Sequence, residues 1–199
     1  MPDDLGPWSP LSVGEAVALM QGLGAPWWVA GGWAIDLFLG RTTREHADID
    51  IAILRSDQPA MARALAGWDI QVAADGVLTP WRAGDWLEGG QRHQFWARPS
   101  RDEPWALEIL LEEGDRDRWV YRRDAAVSLP LAELGRATSD GAPYIAPQVA
   151  LLYKANRHDL AKNAADFEVA FPALSPGARA WLAQALTIAH PGHPWVARL

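Results

Sequence analysis

Residues 27–51, WWVAGGWAIDLFLGRTTREHADIDI, decide the fold of this chain, because they read in order as strand, glycine turn, helix and strand. The apolar run at 27–30 is typical of a short buried strand, and it ends at a pair of glycines. The run AIDLFL (34–39) continues as a helix until Gly40. At such a junction glycine lets the backbone approach a ligand closely, and free amides at the helix start face an anion.

The second strand of this stretch carries Asp48 and Asp50 on either side of one apolar residue. Side chains two apart in an extended strand point to the same side, roughly 6.5–7 Å apart, so both carboxylates project toward one point. A hard divalent cation such as Mg²⁺ removes the repulsion within such a pair and keeps room for substrate phosphates. The pair therefore predicts half of a phosphate-handling metal site. Two solvated strand-end aspartates remain the alternative, since this spacing is common by chance.

A third acid is offered by WALEILL (105–111), where Glu108 is the lone charge in an apolar run. An ionised carboxylate there is costly unless it is paired or bound to a metal. If this strand lies beside the Asp48/Asp50 strand, three carboxylates converge. The alternative is an edge-strand glutamate facing solvent. Glu112 and Glu113 are weaker candidates, expected at the exit of the strand.

The remaining pattern predicts an α/β (α+β) fold, a mixed sheet flanked by helices and followed by a small carboxy-terminal helical region. Residues 75–130 are rich in strand-like segments and turns, and three helical patterns follow Pro147. We expect a core over residues 1–143 and a helical region over residues 144–199 packed on it.

The composition of the chain limits the kinds of protein that it can be. There is no cysteine, and no stretch approaches the roughly 20 apolar residues of a membrane span. The start MPDDL (1–5) lacks the features of a signal peptide, which favours the cytoplasm. A net charge of −7 argues against a nucleic-acid partner and is compatible with a small cationic substrate. The oligomeric state is not indicated, and HPGHPW (190–195) suggests a flexible tail or an adventitious metal ligand.

The stretch 31–51 resembles the signature of the aminoglycoside and lincosamide nucleotidyltransferases of the polymerase-β-like superfamily, in which a glycine pair opens a helix and an Asp-x-Asp strand follows. The likeness extends over residues 27–171. Two positions depart from it, since Gln148 and Asn163 stand where relatives often carry acids. Any acid role at those two positions is therefore in doubt.

The resemblance implies transfer of a nucleoside monophosphate, with ATP the family default, to a hydroxyl of a small molecule similar to an aminoglycoside or lincosamide. By position, Asp48, Asp50 and Glu108 match the catalytic, metal-binding carboxylates, which would hold two Mg²⁺ ions. Glu108 would also accept the proton of the attacking hydroxyl. The alternatives are a protein or tRNA acceptor, as in toxin–antitoxin systems, and a non-catalytic nucleotide-binding protein.

The same resemblance implies a set of nucleotide contacts. For His46 the alternative is a structural role, in which a backbone hydrogen bond holds the side chain. For Lys154 and Lys162 the alternative is a solvated position on a helix surface. Asp166 lies four residues after Lys162 and is expected to pair with it at the surface. The residues implied to contact the nucleotide are Gly31, Gly32, Trp33, Arg44, His46, Lys154 and Lys162.

Overall fold

A computed structural model describes residues 5–89 and 92–199 and arranges them around one mixed sheet. The strands are β1 Trp27–Val29, β2 Asp50–Leu54, β3 Asp69–Ala74, β4 Val77–Pro80, β5 Gln94–Arg98, β6 Leu107–Gly114, β7 Arg118–Val120, β8 Ser128–Pro130, β9 Gly135–Ala137 and β10 Pro143–Ile145. The helices are α1 Val13–Met20, α2 Gly31–Leu39, α3 Gln58–Ala64, α4 Leu131–Leu134, α5 Pro147–Ala155, α6 Ala161–Ala170 and α7 Pro176–Ala189. Short 3₁₀ turns cover Arg55–Asp57, Phe171–Ala173 and Pro194–Arg198.

The sheet follows the order β4-β3-β5-β6-β2-β1-β10-β9, and β7 joins β6 to β8. Two neighbouring pairs are parallel, β2 with β6 and β1 with β10, while the other pairs are antiparallel. The central strands β2 and β6 carry apolar runs at residues 51–54 and 109–111 that are largely buried, as the central part of a sheet covered on both faces must be. The predicted mixed sheet with flanking helices is confirmed.

Local signals set the amino-terminal elements. Ser12 caps α1, its hydroxyl accepting from the Glu15 amide at 3.3 Å while the Ser12 amide donates to the Glu15 carboxylate at 2.8 Å. Helix α2 begins earlier than its apolar run, because Gly31 adopts φ +61 and turns the chain directly out of β1. It ends at Gly40, whose φ is +64.

The carboxy-terminal helices depart from the simplest sequence reading. The chain leaves α5 at Asn156 and starts α6 at Ala161, so Lys154 and Lys162 lie on two different helices. Strand β10 runs across residues 143 and 144, where the sequence suggested a division between core and helical region. That division remains a prediction.

The end of the chain is packed rather than flexible. Trp195 is buried and stacks on Phe167 with ring centroids 4.1 Å apart and planes 10° apart. His193 is also buried, and its Nε2 lies 3.2 Å from the Ala155 carbonyl oxygen. The expected flexible tail is therefore wrong, since its aromatic side chains complete the apolar core under α6. Across the described ranges, no helix is long and apolar enough to cross a membrane.

Candidate active site

Three carboxylates lie near the starts of β2 and β6. Asp50 and Glu108 are direct partners in the parallel β2–β6 register, and Asp48 precedes Asp50 by two residues. Asp48 lies just before β2, but the Glu108 amide donates to the Ile49 carbonyl at 2.9 Å and holds this segment along β6. All three side chains are half-buried. None of them forms an ion pair with another residue in the ranges 5–89 and 92–199.

The electrostatics of the three acids reflect this crowding. Burial, followed by the charge of Asp48, raises the pKa of Asp50 to about 7, against the opposing effect of Lys154 and Lys162. Burial, followed by the charges of Asp50 and Asp48, also raises the pKa of Glu108 well above its usual value. Such a set attracts cations, because a bound cation relieves both the desolvation and the repulsion.

Oxygen donors of this kind suit Mg²⁺. As they stand, however, no three His, Asp or Glu side chains in the described part of the chain are gathered closely enough to hold a metal ion. The donor chemistry therefore fits magnesium, while the ligand shell is not already closed.

The glycine turn lies directly against the acids. A Cβ placed on Gly31 would be 1.7 Å from Asp50 Oδ2, and one on Gly32 would be 2.3 Å from Arg44 Nη2 and 2.6 Å from His46 Nδ1. Only glycine permits these approaches. Ala30, the residue before α2, has no side chain able to cap the helix, so the first amides of α2 are left for another acceptor. The turn thus places a helix start beside the carboxylates.

His46 is held by a carboxylate and not by a backbone hydrogen bond. Its Nε2 lies 2.7 Å from Oδ2 of the buried Asp36, and its ring stacks on Trp33 at 4.3 Å between centroids. The other oxygen of Asp36 accepts from the amide and hydroxyl of Thr43. With its side chain 2% exposed, His46 braces the segment before β2. A phosphate contact by His46 stays a prediction.

Asp166 forms ion pairs with two of the cationic residues that were predicted to contact the nucleotide. It accepts from Arg44 Nε at 3.0 Å and Nη2 at 3.1 Å, and Lys154 Nζ lies 2.7 Å from its second oxygen. Asp166 therefore pairs with Arg44 and Lys154, not with Lys162 as expected. Lys162 lines a cavity together with Asp48 and Glu108. Burial alone raises the pKa of Asp166, but the Arg44 hydrogen bonds and the Lys154 charge outweigh it and lower the pKa.

Some polar residues near the site have surroundings that the sequence did not predict. Glu112, a weaker candidate for the third acid expected at the exit of the strand, is 3% exposed and accepts from the Trp119 indole at 2.6 Å and the Tyr153 hydroxyl at 2.5 Å. Glu113 accepts from Arg55 instead. Asp36 in α2 and Glu112 in β6 each interrupt an apolar run. This interruption was the sequence signal by which both buried acids could have been found. The two positions that depart from the resemblance, Gln148 and Asn163, are both buried.

Two cavities flank the three acids and differ in charge. The first, of about 310 Å³, is called the cationic cavity here and is lined by Arg122, Arg123, Lys154 and Arg157, with Glu112 as its one acid. The second, of about 480 Å³, is called the acidic cavity and is lined by Asp48, Asp75, Glu108 and Lys162. His93 and Gln94 line both cavities, so the two spaces adjoin.

Known proteins match part of this sequence. The family profile of the aminoglycoside-2''-adenylyltransferases matches residues 12–83. A 2''-aminoglycoside nucleotidyltransferase of Klebsiella pneumoniae is 49% identical over 45 residues, which is 21% of this chain and 25% of the relative, and one of Escherichia coli is 47% identical over the same length. The sequence match thus spans about a quarter of these relatives.

Solved structures extend the likeness to nearly the whole chain. The crystal structure of ANT(2'')-Ia in complex with adenylyl-2''-tobramycin has a TM-score of 0.56 at 18% identity, covering 88% of this chain and 95% of that one. The lincomycin-bound lincosamide antibiotic adenylyltransferase LnuA has a TM-score of 0.56 at 16% identity, covering 82% and 98%. Residues 12–83 are therefore similar in sequence to the aminoglycoside-2''-adenylyltransferases, and the chain shares its fold with the solved aminoglycoside and lincosamide adenylyltransferases.

Proposed function

We propose that this protein is a Mg²⁺-dependent nucleotidyltransferase that moves a nucleoside monophosphate, AMP in the default case, from a nucleoside triphosphate to a hydroxyl of a small molecule. The observation that carries the proposal is the placement of Asp48, Asp50 and Glu108 around the start of β2 and β6, beside the Gly31 turn. Three crowded carboxylates can bind cations, and the free helix amides next to them can bind phosphates.

Asp48 and Asp50 would hold the magnesium ions, two in number by the resemblance, and Glu108 would complete the ligand set. When bound, magnesium neutralises charge on the triphosphate and lowers the pKa of the attacking hydroxyl. The hydroxyl oxygen of the acceptor attacks the α-phosphorus, pyrophosphate leaves, and the hydroxyl proton passes to the Glu108 carboxylate.

The phosphates would lie at the start of α2. The amides of Gly31, Gly32 and Trp33 are the free donors there, and Arg44 and Lys154 bring positive charge to the same end of the helix. In this arrangement the cationic cavity receives the nucleotide.

The acidic cavity would receive the acceptor. Three carboxylates against one lysine favour a ligand with several amines, and an aminoglycoside is such a ligand. The ANT(2'')-Ia and LnuA structures hold an adenylylated aminoglycoside and a lincosamide, respectively. Because of the charge of the acidic cavity, we favour an aminoglycoside-like acceptor. Resistance to such a compound would be the biological consequence.

The test is a pyrophosphate-release screen of the four nucleoside triphosphates with Mg²⁺, each with aminoglycosides, lincosamides or no acceptor. We expect release that requires Mg²⁺ and one acceptor class. Asp50→Asn should abolish release while the fold is kept, and Asp102→Asn, at an exposed turn position, should leave it unchanged. Full activity of the Asp50 variant would contradict the assignment. Labelling of a protein in cell extract, without release on any antibiotic, would contradict the small-molecule acceptor.

A further inference from the structure

The cationic cavity continues away from the proposed phosphate position. Gly31 and Lys154 line it where the triphosphate is placed. Arg122, Tyr153 and Glu112 also line it, and Glu112 lies four residues beyond Glu108 on β6. A ligand whose phosphates lie at the start of α2 would extend its remaining atoms into this space. Two side chains of the cavity wall carry hydrogen-bonding groups that the protein does not use.

Arg122 is the unused donor. It is half-buried, and in the described ranges its guanidinium forms no hydrogen bond or ion pair and lies 5.6 Å from the centroid of the Tyr153 ring. The neighbouring Arg123 is different, since it donates to the Tyr121 hydroxyl at 3.1 Å and the Tyr153 carbonyl at 3.3 Å. A guanidinium has five N–H donors, and Arg122 lines the cavity with all of them available to a ligand. Arg122 is therefore placed for an acceptor that the protein does not provide.

Glu112 is the unused acceptor. Both of its hydrogen bonds, from Trp119 and Tyr153, go to Oε2, and Oε1 accepts from no group in the described part of the chain. These two bonds fix the orientation of the carboxylate in the cavity wall. One wall therefore offers a fixed acceptor and a free donor.

This combination selects the kind of ligand that fits. A phosphate in this part of the cavity would be repelled by the Glu112 carboxylate, and a polyamine would be repelled by the three arginines and Lys154. A neutral group that has both donors and acceptors satisfies both side chains. The ribose and base of a nucleotide are such a group, and a base also stacks on a guanidinium plane.

We propose that the cationic cavity holds the ribose and base of the nucleoside triphosphate, with Arg122 donating to acceptor atoms of the nucleoside and Glu112 Oε1 accepting from a ribose hydroxyl or base amine. This rests on the proposed function, because it extends from phosphates at the start of α2.

The test compares two ligands by calorimetry in the presence of Mg²⁺: a non-hydrolysable ATP analogue and inorganic tripolyphosphate, which has the phosphates without the nucleoside. Each of the variants Arg122→Met and Glu112→Gln should weaken binding of the analogue about 10-fold, the loss of a hydrogen bond to a charged group. Tripolyphosphate binding should change less than about twofold in both variants. Arg101→Met, which removes an arginine that is 76% exposed, is the matched control and should alter neither ligand.

Glu112→Gln keeps the shape of the side chain and an oxygen for Trp119 and Tyr153, and thermal unfolding checks that both variants are folded. Equal weakening of both ligands would overturn the proposal in favour of a phosphate contact. Unchanged binding of the analogue, or a raised KM for the acceptor alone, would also overturn it. If the wild-type protein binds neither ligand, the nucleotide site itself is refuted, and that outcome is distinct from a failure at Arg122 or Glu112.

Discussion

Replacing Gly31 with alanine separates the role of the glycine turn from the general cost of a side chain at positive φ. Gly31 has φ +61 and Gly24 has φ +69, so alanine is strained at both positions. The strain costs about 1–2 kcal/mol in each case. In a chain of this length that lowers Tm by about 2–8 °C, because each kcal/mol corresponds to roughly 2–4 °C. The two positions differ in their surroundings.

A Cβ at Gly24 meets nothing within 4 Å, whereas a Cβ at Gly31 lies 1.7 Å from Asp50 Oδ2. Since real Cβ contacts stay beyond 3.0 Å, the Asp50 carboxylate must retreat by about 1.3 Å. A misplacement of about 1 Å at a catalytic centre costs about 100-fold in rate. We therefore expect Gly31→Ala to lower kcat/KM for pyrophosphate release about 100-fold, and Gly24→Ala to leave it near wild type.

The assay pairs calorimetric unfolding with pyrophosphate release for both variants. Similar losses of Tm with loss of activity only in Gly31→Ala would support the contact between the turn and Asp50. If Gly31→Ala kept wild-type activity, or if Gly24→Ala lost as much activity, the reasoning from this contact would be refuted.

Three further predictions concern the packing around the site. Asp166→Asn should reduce the free energy of unfolding by about 3 kcal/mol, because it leaves two partly buried cations without their anion. Urea unfolding measures this change. As the control, Glu168→Gln breaks an exposed ion pair on the same helix and should have no measurable effect. Because the folded-state pKa of Asp166 is lowered, the stabilisation by its carboxylate is present above about pH 4 and is lost as the pH falls through the folded pKa. In acid titrations, the difference in stability between wild type and Asp166→Asn should therefore shrink below about pH 4. A constant difference would contradict the ion pairs. Trp195→Ala should cost about 3–5 kcal/mol by removing a buried ring stacked on Phe167, and an unchanged Tm would mean that the tail is not docked.

Local sequence was sufficient for the elements that depend on near neighbours. The glycine turn into α2 and the apolar run of β6 follow from side-chain patterns among near neighbours, and the capping box of α1 is likewise formed by residues three apart. The acids of the site were also visible, because a charge inside an apolar run is costly without a partner. The short strands β4, β8, β9 and β10 were not predicted, since three or four residues with proline or glycine carry too little pattern.

The partners of each charge were decided only by the tertiary structure. Glu108 lies beside Asp50 because β2 and β6 pair in parallel across more than fifty residues of chain, and local periodicity does not encode such a pairing. Asp166 had Lys162 one turn away, yet it binds Arg44 and Lys154, because two close cations at a buried carboxylate outweigh a surface pair worth a few tenths of a kcal/mol. The sequence alone thus determined which residues carry the charge and where the chain turns. The packing of strands and helices distant in sequence determined which charges meet, because only burial makes those meetings strong.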